Sequence, residues 1–241
     1  MNRLNKLKRK RKAHAPRLRY PLNKSIALIG LMGSGKTTIG VRLARRLGLP
    51  FVDSDAEIEI AAGHTVNEIF EKFGEEDFRV GERKVIDRLI SDKPSILGTG
   101  GGAYMDRETR KRLNKKTITV WLKADIKSLV ERTGRRNTRP LLKQGNPQEI
   151  LTRLARQRYP VYGQSDITVE TGNGPHEHVV NNIIHQLNHF LALERKKNER
   201  KKQERKKHEK KKKDDIKAPE NNHKPASDQG KEQKNDPQDK R

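Results

Sequence analysis

Apolar positions along residues 25–193 recur in two alternating rhythms, short unbroken runs and stripes at helical spacing. Ile26-Ala27-Leu28-Ile29 is an unbroken run, as expected of a strand buried on both faces. It gives way to Ile39, Leu43 and Leu47, spaced as one face of a helix. Phe51-Val52 is a second, short strand ending at Asp53, and helices are expected over residues 55–62, 66–72 and 75–90. Thr65 and Glu68 stand at capping-box spacing before the second of these. Ser95-Ile96-Leu97 predicts a strand that runs into Gly100-Gly101-Gly102, residues 117–122 a fourth, and residues 166–169 a fifth. Helical patterns cover residues 126–130 and 149–158. A last one, residues 177–193, lines up Val180, Ile183, Ile184, Leu187 and Leu191. Strands that alternate with helices predict an α/β fold: a five-stranded parallel sheet in a three-layer α/β/α sandwich. Such sheets bind ligands at the carboxyl ends of their strands, where residues 30–37, 53–55 and 100–102 converge.

The segment at the first of those ends is Gly30-Leu31-Met32-Gly33-Ser34-Gly35-Lys36-Thr37, which satisfies G-x-x-x-x-G-K-[ST] between a strand and a helix. This is the phosphate cradle of a P-loop NTPase. Its glycines let backbone N–H groups face phosphate oxygens, so ATP contacts are expected from Gly33, Ser34, Gly35, Lys36, Thr37 and Thr38. Lys36 would neutralise the β- and γ-phosphates, and the Thr37 hydroxyl would hold Mg²⁺. At the second end, Asp53-Ser54-Asp55 offers two carboxylates. One could orient Mg²⁺ while the other accepts a substrate hydroxyl, although for Asp55 a plain helix cap is an equal alternative.

Charge modifies this picture only at the ends. The chain has 241 residues and a formal net charge of +24. Residues 1–24 carry ten Lys/Arg and no acid, and residues 194–241 carry nineteen against eleven acids, so the middle is only mildly basic. Residues 1–24 are expected to be a disordered basic extension. Residues 194–241 form a charged tail, part helical through its Glu-Arg-Lys-Lys repeats and then disordered from Ala218. The cluster of residues 8–12 could contact nucleic acid without sequence preference or acidic lipid, with a solvated tail as the favoured alternative. His178, His185 and His189 lie opposite the apolar stripe of the last helix and are expected to be a solvated face. The absence of cysteine and of any apolar run long enough to span a bilayer predicts a soluble, cytoplasmic protein with no membrane partner.

Further segments follow in order: Ile69-Phe70 with Gly74-Glu75, Phe78-Arg79 with Glu82, Gly98-Thr99-Gly100-Gly101-Gly102, Arg132-Thr133-Gly134, Arg139-Pro140-Leu141-Leu142 and Arg158-Tyr159-Pro160-Val161-Tyr162. Together with the phosphate loop and Asp53-Ser54-Asp55, this series resembles shikimate kinase over residues 25–193. The resemblance implies an adenylate-kinase-like fold with a mobile lid at about residues 132–145. It implies transfer of the ATP γ-phosphoryl group to the 3-hydroxyl of shikimate, on the way to chorismate and aromatic amino acids. It further implies that Asp53 supports Mg²⁺ beside Thr37, and that Asp55 binds the shikimate hydroxyls as candidate base. Arg79 and Arg158 would clamp the carboxylate, and Gly100, Gly101 and Gly102 would line the substrate pocket. Arg132 would stack on adenine, and Arg139 would reach the transferring phosphate. Arginine suits a carboxylate clamp because its planar fork is permanently charged. A monomer is expected. The alternatives are a related small-metabolite kinase, such as one for gluconate, and a nucleic-acid-associated protein working through its basic ends.

Overall fold

The computed structural model describes residues 15–90, 93–134, 145–172 and 174–217, with backbone alone for 210–217. Its five strands are β1 (Ser25–Ile29), β2 (Phe51–Asp53), β3 (Ile96–Gly98), β4 (Thr117–Lys123) and β5 (Ile167–Glu170). They lie in the order β2-β3-β1-β4-β5, and every pairing is parallel. β1 is central, with Ile26 opposite both Ile96 and Ile118, and all five of its residues are buried. That is why its sequence is continuously apolar: both faces are covered. Ile26 and Leu28 pack with Ile39 and Leu43 of α1 (Lys36–Leu47) and Ile183, Ile184 and Leu187 of α7 (His176–Lys217). Ala27 and Ile29 face the other layer, made by α3 (Val66–Leu89), α4 (Arg107–Lys116), α5 (Ile126–Gly134) and α6 (Pro147–Tyr162). The three-layer fold is therefore the expected one.

A satellite cluster lies beside the main core. Ile58 of α2 (Ser54–Ala62) meets Ile69, Phe78 and Val85 of α3. The capping box forms as expected, with the Thr65 hydroxyl receiving Glu68 N–H and the Glu68 carboxylate receiving Thr65 N–H. The two helices expected over 66–72 and 75–90 are the two arms of α3, parted at Gly74 (φ 82°, ψ 178°). A positive φ of this kind is costly for any residue with a Cβ. One helix was not anticipated. α4 reads Arg-Glu-Thr-Arg-Lys-Arg-Leu-Asn-Lys-Lys and buries only Thr109 and Leu113, so its periodicity is almost silent. Asp106, which accepts Thr109 N–H as an N-cap, was its one local signal.

Two compact units divide the chain, Met1–Arg195 and Lys196–Arg241. In the first, packing extends upstream of Ser25, where a disordered extension was expected. Leu18 and Leu22 are partly buried against the core, and Asn188 of α7 grips the strap they belong to. Its Oδ1 accepts Arg19 N–H at 2.8 Å, and its Nδ2 donates to Arg17 O at 2.9 Å. Alternating Leu with Arg gave no recognisable period in so short a segment. In the second unit the helix runs to Lys217, and side chains 196–209 are exposed. Residues 1–14 and 218–241 lie outside the described residues. Among the described residues no helix is long and apolar enough to cross a membrane.

The two Asn188 hydrogen bonds tether the strap at about 0.5–1.5 kcal/mol each. Asn188→Ala is expected to speed tryptic cleavage after Arg17 and Arg19, since cutting requires the strap to lift. Equal cleavage rates in the variant and the parent would show that the leucines alone hold it.

Candidate functional site

The loop between β1 and α1 is shaped by close approach. Gly30 has φ 146°, and a Cβ there would stand 2.7 Å from Leu122 O and 2.8 Å from Ser34 Oγ. A Cβ on Gly33 would be 2.8 Å from the Thr133 methyl, so α5 packs directly against the loop. Lys36 Nζ donates to Gly30 O (2.8 Å) and Leu31 O (3.1 Å), which holds the ammonium over the loop. Ser34 Oγ is buried without a hydrogen-bond partner among the described residues, and Thr38 follows Thr37 in the first turn of α1.

Thr37 Oγ1 donates to Asp53 Oδ2 at 3.2 Å. A hydroxyl and a carboxylate side by side are hard oxygen donors, so the pair fits Mg²⁺, which binds through one or two carboxylates and substrate phosphates. Among the described residues no cluster of three or more His, Asp or Glu could hold a metal unaided. Asp53 Oδ1 also accepts Asp55 N–H at 3.1 Å and caps α2. The helix cap is thus Asp53, which leaves the Asp55 side chain available for another role.

Three consecutive glycines after β3 each abut a different charged group. A Cβ on Gly100 would lie 2.5 Å from Asp55 Oδ1, one on Gly101 would be 3.4 Å from Arg158 Nη1, and one on Gly102 would collide with the Arg79 guanidinium. Arg158 Nη1 and Tyr162 OH both donate to Gly101 O, at 2.9 and 2.5 Å. Fully buried Ser54 accepts Gly100 N–H at 3.0 Å. Arg79 donates to Glu82 at 2.5 Å and to Glu75 at 3.1 Å, and its guanidinium sits 5.1 Å from the Phe78 ring. Glu82 is 1% exposed, and its Oε1 has no partner among the described residues.

Arg132, at the end of α5, donates to Gly172 O (2.5 Å) and approaches Gly33 O (3.4 Å), linking the phosphate loop to the turn after β5. The structure therefore brings together Lys36, Thr37, Asp53, Asp55, Arg79, Arg158, Arg132 and the three glycines. Arg139 and residues 135–144 of the expected lid (about 132–145) lie outside the described residues. The sequence motifs include Ser54 and Tyr162 but give them no role, and they omit Thr171, whose hydroxyl reaches toward Ser34 O at 3.4 Å. For Tyr162 a signal existed: it stands four residues after Arg158 on one helix, hence on the same face.

Burial raises the Asp55 carboxyl above the ordinary carboxylate value and the nearby Asp53 adds to this, while Lys36 and Arg79 oppose it. Glu82 is raised as well, because desolvation there outweighs Arg79. For Arg79, burial works against the charge, yet Glu82 and Glu75 outweigh it and its pKa rises. A carboxyl whose folded pKa exceeds its unfolded value stabilises the fold while protonated and loses that contribution as pH rises through the folded value. Asp55→Asn removes the charge and keeps the shape. It is expected to raise the Tm of ligand-free protein at about pH 8, by a margin that shrinks toward about pH 4. A calorimetric series showing no such pH-dependent margin would contradict a desolvated Asp55.

The family model for shikimate kinase matches residues 32–188. A shikimate kinase of Paramagnetospirillum magneticum is 49% identical over 181 residues, which span 75% of this chain and 93% of that one. One from Caulobacter vibrioides is 51% identical over 153 residues, 64% and 76% of the two chains. Among solved structures, a shikimate kinase of Acinetobacter baumannii in complex with shikimate superposes with a TM-score of 0.65 at 40% identity, covering 68% of this chain and 93% of that one. Sequence, fold and site geometry agree, and the chain belongs to the shikimate kinase family.

Proposed function

We propose that the protein transfers the γ-phosphoryl group of ATP to the 3-hydroxyl of shikimate, giving shikimate 3-phosphate and ADP on the route to chorismate. The observation that carries this reading is the glycine row, where Gly100, Gly101 and Gly102 touch Asp55, Arg158 and Arg79 in turn. A hydroxyl acceptor and two guanidinium forks around a floor without side chains suit a small polyhydroxy acid. Arg79 and Arg158 would hold the carboxylate. Asp55 would accept the hydrogen bond of the reacting hydroxyl.

Lys36 would neutralise charge on the β- and γ-phosphates held by residues 33–38, Arg132 would stack on adenine, and Arg139 would reach the transferred group. Thr37 and Asp53 would hold Mg²⁺, which when bound neutralises phosphate charge. The transition state of phosphoryl transfer is loose, so positioning matters more than base strength. Asp55 therefore acts mainly as an orienter. The scheme asks for no group from a second chain, so a monomer suffices, and the lack of cysteine suits the cytoplasm.

ADP release with ATP and Mg²⁺ is expected to require shikimate, with gluconate inert. Lys36→Met should abolish release, and Asp55→Asn should lower it by about a hundredfold or more. Release without an acceptor, or with gluconate alone, would overturn the reading.

A second variant separates the acceptor pocket from the nucleotide site. Gly102→Ala places a methyl group against Arg79, so KM for shikimate should rise several-fold while KM for ATP stays put. Equal changes in both constants would remove Arg79 from the acceptor pocket.

A further inference from the structure

We propose that the cleft between the N-terminal strap and α7 binds the phosphodiester backbone of a nucleic acid, without regard to sequence. A cavity of about 610 Å³ lies there, lined by Arg17, Arg19, Tyr20, Asn182, His185 and His189 among others, and none of its described lining residues is acidic. Asn188 grips Arg19 N–H and Arg17 O, so the strap is fixed through its backbone and both arginine side chains remain exposed. Leu18 and Leu22 face the core. This division of labour leaves the cations for an external anion. Tyr20 presents a ring already within 5.9 Å of the Arg195 guanidinium, a surface on which a base can stack.

The choice of ligand follows from three features. Exposed cations hold a single phosphate weakly, so affinity has to be summed over several phosphates. The row of cations continues upstream in sequence, with seven Lys/Arg and no acid in residues 1–16. Insertion into a bilayer is strengthened by apolar anchors beside the cations, whereas the cleft is lined by no Trp, Phe or Leu and the strap's leucines are spent in the core. The strap enters β1 at its amino end, while the phosphate loop leaves from its carboxyl end. Nucleic-acid binding and ATP binding thus use opposite edges of the sheet. The proposal is independent of which metabolite the kinase site accepts.

The test is fluorescence anisotropy of a labelled oligouridylate with the full chain. Arg17→Ala/Arg19→Ala is expected to weaken binding about tenfold at low salt and to flatten the log–log salt slope by about 1 to 1.5, the share of two phosphate contacts on a single strand. Its Tm should equal the parent's, because the Asn188 contacts are to backbone. Arg17→Lys/Arg19→Lys should bind within about twofold of the parent, since backbone neutralisation needs charge rather than a fork. Saturating ATP should leave the oligonucleotide bound. Unchanged affinity and slope in the alanine pair would overturn the proposal. So would the absence of oligonucleotide binding, displacement by ATP, or binding only to phosphatidylserine vesicles.

Discussion

The site depends on the burial of β1. A strand hydrogen-bonded on both sides and covered on both faces cannot shift, and the turn that leaves it inherits that rigidity. Leu122 O presses on Gly30 from the neighbouring strand, and Thr133 presses on Gly33 from α5. The phosphate loop is therefore shaped from outside by the sheet and one helix, and from within by the Lys36 and Ser34 N–H hydrogen bonds to its carbonyls. Because all strands are parallel, the same sheet sets Asp53 and the three glycines at the same edge. Placement of these groups is a property of the core, which is what the proposed reaction requires, since positioning is the main source of rate in phosphoryl transfer.

Around that frame, charge is held in places where water is scarce. Glu82 is almost wholly buried and its fork partner Arg79 is mostly so, while Asp55 faces Gly100 with Asp53 close by. Burial disfavours each isolated charge; Glu82 and Arg79 are a direct pair, whereas Asp55 is offset only through the field of Lys36 and Arg79. Under the proposed function, the stability given up there keeps a carboxylate and a guanidinium ready for a polar acid.

How much of this was legible in the sequence follows from how each feature is encoded. Strands β1 and β4 were plain, because burial on both faces writes itself as unbroken apolar runs. The break at Gly74 was legible as two helical patterns with glycine between them. α4 was not, since a helix that buries two of ten residues leaves no period to detect. The strap at Leu18 and Leu22 was hidden by the arginines around it, as net charge outweighs two leucines in any local reading. In the site, motif residues were found because their spacing is tied to one loop. The roles of Ser54 and Thr171 were missed because they act through backbone partners from distant segments, and no local pattern records such a partner.

Gly74 and Gly102 look alike in the sequence and fail by unlike routes. At Gly74 nothing stands within 4 Å of an added Cβ, so a side chain would meet open space and only the backbone sign (φ 82°) resists it. At Gly102 the backbone is ordinary and the obstacle is another side chain, the guanidinium of Arg79. Suppressor genetics separates the two cases. A lesion at 102 can be relieved in folding by shortening its neighbour, at the expense of the guanidinium. A lesion at 74 has no neighbour to shorten, and only a residue of the opposite hand would fit there without strain.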